Sequence, residues 1–234
     1  LPTILPDMTR AEALECTKIH SIEGELSGGG LLTRRPFRSP HHNISAQGLA
    51  GGGVVPRPGE VSLAHNGVLF LDELPEFRRD VMEALRAPLE DGVVTVSRVA
   101  GTLTYPCNVM LVAAMNPCPC GNYGSKINRC TCTPGAIQKY LSKISGPLLD
   151  RIDLHVDVDA VNPWEMNNDN APRETSAQIR QRVVAAREKQ ISRQGKVNAH
   201  LDGAELEQFA ALDNELTAFL NNAAEKMGMS ARGY

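Results

Sequence analysis

The chain has 234 residues, 42% hydrophobic and 22% charged, enough for one α/β domain of ordinary size and a smaller companion around a real core. No apolar run approaches the roughly 20 residues of a spanning helix and the start does not resemble a signal peptide, which argues against a helical membrane protein and makes the cytoplasm the expected location. A net charge of -3 excludes nucleic-acid binding driven by bulk charge, so any contact with DNA must be local.

In chain order, the text opens without Met on Leu1-Pro-Thr-Ile-Leu-Pro6 and stops at Ser230-Ala-Arg-Gly-Tyr234, with Ser230 placed like the N-cap of a further helix. Both ends are expected to be cut from a longer protein. From Arg34 to Gly59 the residues are dense in Gly, Pro, Arg and His, which predicts a long loop without regular elements. Residues 67–73 read Gly-Val-Leu-Phe-Leu-Asp-Glu. Val68 to Leu71 lack in/out alternation and predict a central parallel strand covered on both faces. Arg79 to Leu89 puts Val81, Met82, Leu85 and Leu89 on one helical face that closes at Gly92.

Val93 to Val96 and Thr102 to Tyr105 predict a β-hairpin with Arg98 at or near its tip. Val109 to Ala114 reads as a second apolar strand ending on Asn116, and Leu154 to Val158 as a shorter third one. Residues 161–174 are polar and turn-forming, a linker. Thr175 with Gln178 forms a capping box for a helix to about Gln194, and further helical text runs from Ala204 to Lys226, stopped by Gly228. The sequence contains no internal repeats or low-complexity tracts.

The chemistry concentrates at strand ends, where ligands of parallel sheets bind. Asp72 is placed to hold a Mg²⁺ riding on substrate phosphates, and Glu73 to orient or deprotonate an attacking water. The alternative is two solvated turn acids. Asn116 is placed to hold a γ-phosphate or that water, or else forms an ordinary Asn-Pro turn. Cys118-x-Cys120 and Cys130-x-Cys132 fall within fifteen residues and suit a tetrahedral structural Zn²⁺, against free thiols or a redox pair. Cys16 and Cys107 are expected to be simply packed. Phe37, Arg38, His41 and His42, with Arg98, are the local candidates for gripping a nucleic acid, the alternative being a subunit contact.

Gly59 to Phe77, Ala113 to Gly121 and Ser145 to Val156 together resemble the magnesium-chelatase-related AAA+ proteins of the ComM/YifB type. The resemblance implies an AAA+ P-loop NTPase-type α/β fold: a three-layer core over residues 1–160, incomplete at its N-terminus, with a β-hairpin insertion, a Cys-rich insert at 117–133 and, from 175 to 234, a partial helical lid. It further implies a hexameric, DNA-engaged ATPase using ATP and Mg²⁺, in which Asp72 and Glu73 are Walker B and Asn116 is sensor 1. Arg151 resembles an arginine finger, and Arg232 a sensor 2. Pairing of Arg151 with Asp150 or Asp153 is the plainer reading, as is simple exposure of Arg232. No G-x-x-x-x-G-K-[ST] occurs, and neither Gly28–Gly30 nor Gly51–Gly53 is followed by the required Lys. The phosphate loop is therefore expected upstream, and this stretch alone is expected to bind ATP weakly or not at all. Two rivals stay open: a magnesium chelatase motor subunit, and a non-catalytic zinc-binding interaction module.

Overall fold

The structure, a computed structural model, describes residues 1–26, 30–98, 101–159 and 174–230, with only the backbone of Arg98. The chain divides into two compact units, one of Leu1–Pro2 with Asp7–Pro172, the other of Thr3–Pro6 with Arg173–Tyr234. The expected linker, 161–174, lies outside the described residues except for Glu174.

The larger unit begins with α1 (Arg10–Glu23). The Thr9 hydroxyl accepts from the Glu12 N–H while the Glu12 carboxylate accepts from the Thr9 N–H, a reciprocal cap. Nothing had been expected before Arg34, although Thr9-x-x-Glu12 carries the signature. The 34–59 segment is corrected from a bare loop. It holds β1 (Phe37–Arg38), α2 (Ala46–Ala50), β2 (Gly51–Gly52) and β3 (Arg57–Pro58). Composition hid them because each is only two to five residues long and is held by tertiary pairing rather than by propensity.

After α3 (Glu60–Leu63) comes β4 (Val68–Leu71), the middle strand of a three-stranded parallel sheet ordered β1-β4-β7, where β7 is Met110–Ala113. Val68, Leu69 and Leu71 are fully buried, as the unbroken apolar run predicts. The strand's entry is packed tightly: a Cβ on Gly67 would stand 2.1 Å from the Pro36 carbonyl oxygen. A polar network surrounds that end. Arg35 reaches the Glu12 carboxylate at 3.2 Å and the Asn66 carbonyl at 2.7 Å, and the Asn66 N–H donates to Asn108 at 2.7 Å.

The expected 79–89 helix is two, α4 (Arg79–Glu83) and α5 (Arg86–Asp91). Pro88 offers no N–H to the Ala84 carbonyl, so the chain re-starts with Pro88 in the first turn of α5. Val81, Met82 and Leu85 are nevertheless buried, and Gly92 closes the element at φ 66°. The hairpin is present as β5 (Val93–Arg98) and β6 (Gly101–Pro106), antiparallel, with Arg98 in the last pair. Val94 and Val96 face inward, while Thr95 meets Thr104 on the other face at 3.2 Å.

Two further helices went unforeseen. α6 (Pro134–Leu141) starts with the Thr133 hydroxyl accepting from the Ala136 N–H, and Pro134 at the first helical position; α7 (Gly146–Leu149) follows. Ile144 and Leu148 from this region join the core formed by Leu69, Leu71, Val81 and their neighbours, and Tyr140 is buried as well. The expected strand at Leu154–Val158 is corrected: among the described residues it pairs with nothing, and Leu154, Val156 and Val158 are 82%, 79% and 87% exposed. Alternation of apolar residues fits a pleat, but only a ladder partner makes a strand.

In the smaller unit, α8 (Ser176–Gln194) begins at the Thr175/Gln178 capping box as expected. The predicted 204–226 helix is two, α9 (Gly203–Phe209) and α10 (Asn214–Met227), because Asp213 caps the second by accepting from the Leu216 N–H. Gly228 ends α10 at φ 61°.

Candidate active site

The acidic pair is pinched out of the sheet. The Leu71 carbonyl accepts from the Ala114 N–H at 2.9 Å, and the Leu74 N–H donates to the Ala114 carbonyl at 3.0 Å, so one residue of the neighbouring strand spans two on this one. Asp72 and Glu73 are what is left over, a bulge at the C-terminal end of the central strand. The Asp72 carboxylate accepts from the Glu73 N–H at 2.9 Å, and Glu73 sits in the left-handed region at φ 54°, ψ 46°. A residue with a Cβ held there stores roughly 1–2 kcal/mol, a pattern concentrated at functional sites. The Glu73 carboxylate meets His42 Nδ1 at 3.3 Å, and the His42 ring lies 4.1 Å from that of His41.

Because β4 and β7 are adjacent and parallel in register, Leu71 opposite Ala113, Asn116 emerges on the same sheet edge as Glu73. Both line a cavity of about 450 Å³ with Glu76, Lys139, Tyr140 and Lys143. Lys143 Nζ pairs with Glu76 at 3.1 Å and sits 5.6 Å from the centre of the Tyr140 ring. Burial, and secondarily the Glu76 carboxylate, push the Tyr140 phenol up. None of Glu76, Lys139, Tyr140 and Lys143 was singled out from sequence, and the Thr133-Pro134 helix start was the signal that would have brought three of them into view. A second cavity, of about 370 Å³, shares no lining residue with the first, and its Arg38 is already paired with Glu25 and Glu60.

The remaining candidates spread out. Arg151 is 13% exposed in its side chain, donates to the Pro147 carbonyl at 2.6 Å and is ion-paired with Glu90, rather than with Asp150 or Asp153. Arg232 lies outside the described residues. Phe37 is 45% exposed and stacks on Phe70 at 6.1 Å. The Arg38 guanidinium meets Glu60 at 2.5 Å and Glu25 at 3.1 Å, with hydrogen bonding to Glu60 holding its proton more firmly still. It braces α3 against β1. His41 and His42 lie at the acidic pair, so this group of loop residues is split between a structural brace and the carboxylate edge.

The four cysteines converge. Their sulfurs all lie within 4.8 Å of one another, with Cys118 3.4 Å from Cys120 and 3.8 Å from Cys130, and Cys120 3.6 Å from Cys130. Four thiolates about 2.3 Å from a tetrahedral zinc stand about 3.8 Å apart, so the donor set fits that ion. The Cys118 carbonyl accepts from Gly121 at 2.9 Å, with Gly121 at φ 78°, which folds both sulfurs of the first pair to one side. The Tyr123 N–H donates to the Cys118 sulfur at 3.3 Å. Backbone N–H groups of Thr131 and Asn122 pull the Cys120 thiol down to about 5. Cys16 and Cys107 are buried apart, and burial pushes their thiols up to about 11 and about 12.

With this geometry in place, comparison with known proteins gives the family. The profile described as "Magnesium chelatase, subunit ChlI" matches residues 1–166, and that for the ChlI C-terminal part matches residues 173–234. The chain belongs to this magnesium-chelatase-related family of AAA+-type proteins, and its mixed α/β fold with a parallel sheet is of that class. It is 47% identical to the uncharacterised protein YifB of Escherichia coli (strain K12) over 99% of the chain and 45% of the relative. It is 46% identical to the competence protein ComM of Haemophilus influenzae over 100% of the chain and 46% of the relative. An uncharacterised protein of Mycobacterium bovis is 41% identical over 100% and 47%. The chain thus spans about half the length of these relatives. Among solved structures, NtrX from Brucella abortus in complex with ADP aligns with a TM-score of 0.36 and 19% identity, covering 53% of this chain and 25% of that one, too remote to carry an argument. Among the described residues no helix is long and apolar enough to cross a membrane.

Proposed function

We propose that this chain is the hydrolytic part of an ATP-driven, DNA-associated motor that couples ATP hydrolysis to DNA remodelling or branch migration in recombination and natural transformation. The observation that carries the reading is the Asp72–Glu73 bulge at the end of the central parallel strand, with Asn116 on the same edge. Asp72, exposed and oxygen-bearing, suits Mg²⁺ carried by ATP phosphates. Glu73, held at its unusual φ and touched by His42, orients the attacking water, and the Asn116 amide positions that water or a phosphate oxygen. In a hexameric ring in the cytoplasm, Arg151 would exchange Glu90 for a neighbouring subunit's γ-phosphate, where a guanidinium contributes about 10³–10⁵ in rate in other NTPases. Arg232 would approach from the helical lid of residues 175–234, beyond the 161–174 linker. The four thiolates hold a structural Zn²⁺. The name of ComM as a competence protein supports the DNA step, and Phe37, His41 and Arg98 are the residues offered to the strand.

A second reading, a motor subunit of the magnesium chelatase type, is favoured by the family profile itself. The four-cysteine cluster favours the ComM-like branch. The 234 residues contain no G-x-x-x-x-G-K-[ST] and span about half the length of the relatives, so a protein of the relatives' full length is the one to assay. ATP turnover is measured with and without a four-way DNA junction, with Glu73→Gln as control. Turnover stimulated by the junction and absent in the variant is the expected result. Turnover indifferent to DNA would favour the chelatase-type motor, and no turnover at all the non-catalytic zinc-binding module.

A further inference from the structure

The stretch between β7 and α6, residues 114–133, is 20 residues long and contains neither helix nor strand. Connections of that length without secondary structure are uncommon in compact domains and need something to order them. Apolar burial does not supply it. Tyr123 and Ile127 are 54% and 51% exposed, and within the insert 117–133 only Cys118 is buried. What the segment does have is the sulfur cluster at its centre, and the two arms of that cluster lead directly to the two walls of the active-site cavity.

The first arm leaves the sheet through Asn116, two residues before Cys118. The turn it makes passes close to that side chain: a Cβ at Gly121 would stand 3.9 Å from Asn116 Oδ1. The second arm ends at Cys132, next to Thr133, whose hydroxyl caps α6. That helix and the residues after it bring Lys139, Tyr140 and Lys143 to the same cavity as Asn116 and Glu73. Closing the four sulfurs on one ion therefore fixes the spacing between Asn116 and the start of α6, and removes the loop entropy that would otherwise let both drift.

We propose that the metal-bound cysteines are positioning residues for the nucleotide site: the cluster is a clip that sets Asn116 and α6 against each other, so metal occupancy shapes the cleft locally while the sheet stands without it. The inference rests on the reading of the cluster as a zinc site, and the test separates the two. The full-length protein is purified under reducing conditions, its zinc is counted, and amide hydrogen exchange is followed with bound metal, after chelation, and after Zn²⁺ is added back. The expected result is one zinc per chain, with exchange in peptides covering 114–124 and 130–144 at least roughly tenfold faster after chelation and restored by Zn²⁺, while Val68–Leu71 stays protected. Cys132→Ser, which removes one ligand on the α6 side, should reproduce the chelated pattern. Zinc present but exchange in those peptides unmoved would overturn the clip and leave the metal site standing. Loss of protection at Val68–Leu71 on chelation would also overturn it, because the ion would then hold the whole unit rather than the cleft. Less than about a fifth of a zinc per chain, with no uptake of added Zn²⁺, would overturn both.

Discussion

Replacing Gly67 by Ala should damage the strand that carries the acidic pair without touching any residue of the site. The added Cβ would lie 2.1 Å from the Pro36 carbonyl oxygen and 2.9 Å from two further Pro36 backbone atoms, whereas 3.0 Å is the practical limit for such contacts, so the chains must part by at least 3.0 − 2.1 = 0.9 Å. Pro36 cannot swing away freely, because its carbonyl accepts from the Val68 N–H at 2.9 Å, and the Gly67 carbonyl accepts from Met110 at 3.0 Å on the other side. Overpacking against backbone costs about 1–3 kcal/mol and the lost hydrogen bond about 1 more, giving about 2–4 kcal/mol in all. In a unit of this size that is a fall of roughly 10 °C in Tm. Thermal unfolding by circular dichroism measures it, with Gly135→Ala as the control: nothing lies within 4 Å of a Cβ there, and the change should stay within about 0.5 kcal/mol. If the two variants melt within a degree or two of each other, the close approach of β1's leader to β4 is not the rigid clamp described above.

Thiol counting should divide the six cysteines unequally: none reactive in the metal-bound protein, four after chelation, and the remaining two, Cys16 and Cys107, only on unfolding, since both are buried with their thiols pushed up. Rapid labelling of all six after chelation alone would contradict their burial. Glu12→Gln should destabilise by about 1–3 kcal/mol near neutral pH. Burial works to raise the Glu12 carboxyl, but the Thr9 N–H and the Arg35 guanidinium outweigh it and hold it below its ordinary value of 4.5. A lowered folded value means the stabilisation is present above 4.5 and is lost as pH falls through the folded value, so denaturation midpoints of parent and variant should converge in acid; a constant gap would refute the linkage. Glu73→Gly should raise stability by up to about 1 kcal/mol in urea while removing the carboxylate, because glycine takes φ 54° without strain. A clear loss of stability would show that the His42 contact outweighs the backbone cost.

Local text alone determined the features that rest on short-range physics. Four apolar residues ending in two acids are legible as a buried parallel strand because a strand covered on both faces has no need of polar positions. The Thr175 capping box, the Gly92 and Gly228 stops and the hairpin are legible because a cap, a left-handed glycine and a pair of β-rich runs act within a few residues. The clustering of four cysteines within fifteen residues likewise marked a site before any geometry was known.

Tertiary structure decided the rest, because it turns on partners far apart in sequence. Only the parallel pairing of Phe37–Arg38 with Val68–Leu69 makes a strand out of text that looks like loop, and the want of a pairing partner among the described residues leaves Leu154–Val158 outside the sheet despite its alternation. The two hydrogen bonds of Ala114, its N–H to the Leu71 carbonyl and its carbonyl to the Leu74 N–H, squeeze Asp72 and Glu73 out of the sheet, a two-against-one count that no spacing rule contains. Arg38 looked available and proved to be held by Glu25 and Glu60, while Lys139 and Lys143, which carry no signal in the local sequence, line the cavity with Asn116. Residue type fixes which chemistry is possible at a position; the distance to a carboxylate or a sulfur supplied from elsewhere in the chain fixes whether the side chain is free to perform it.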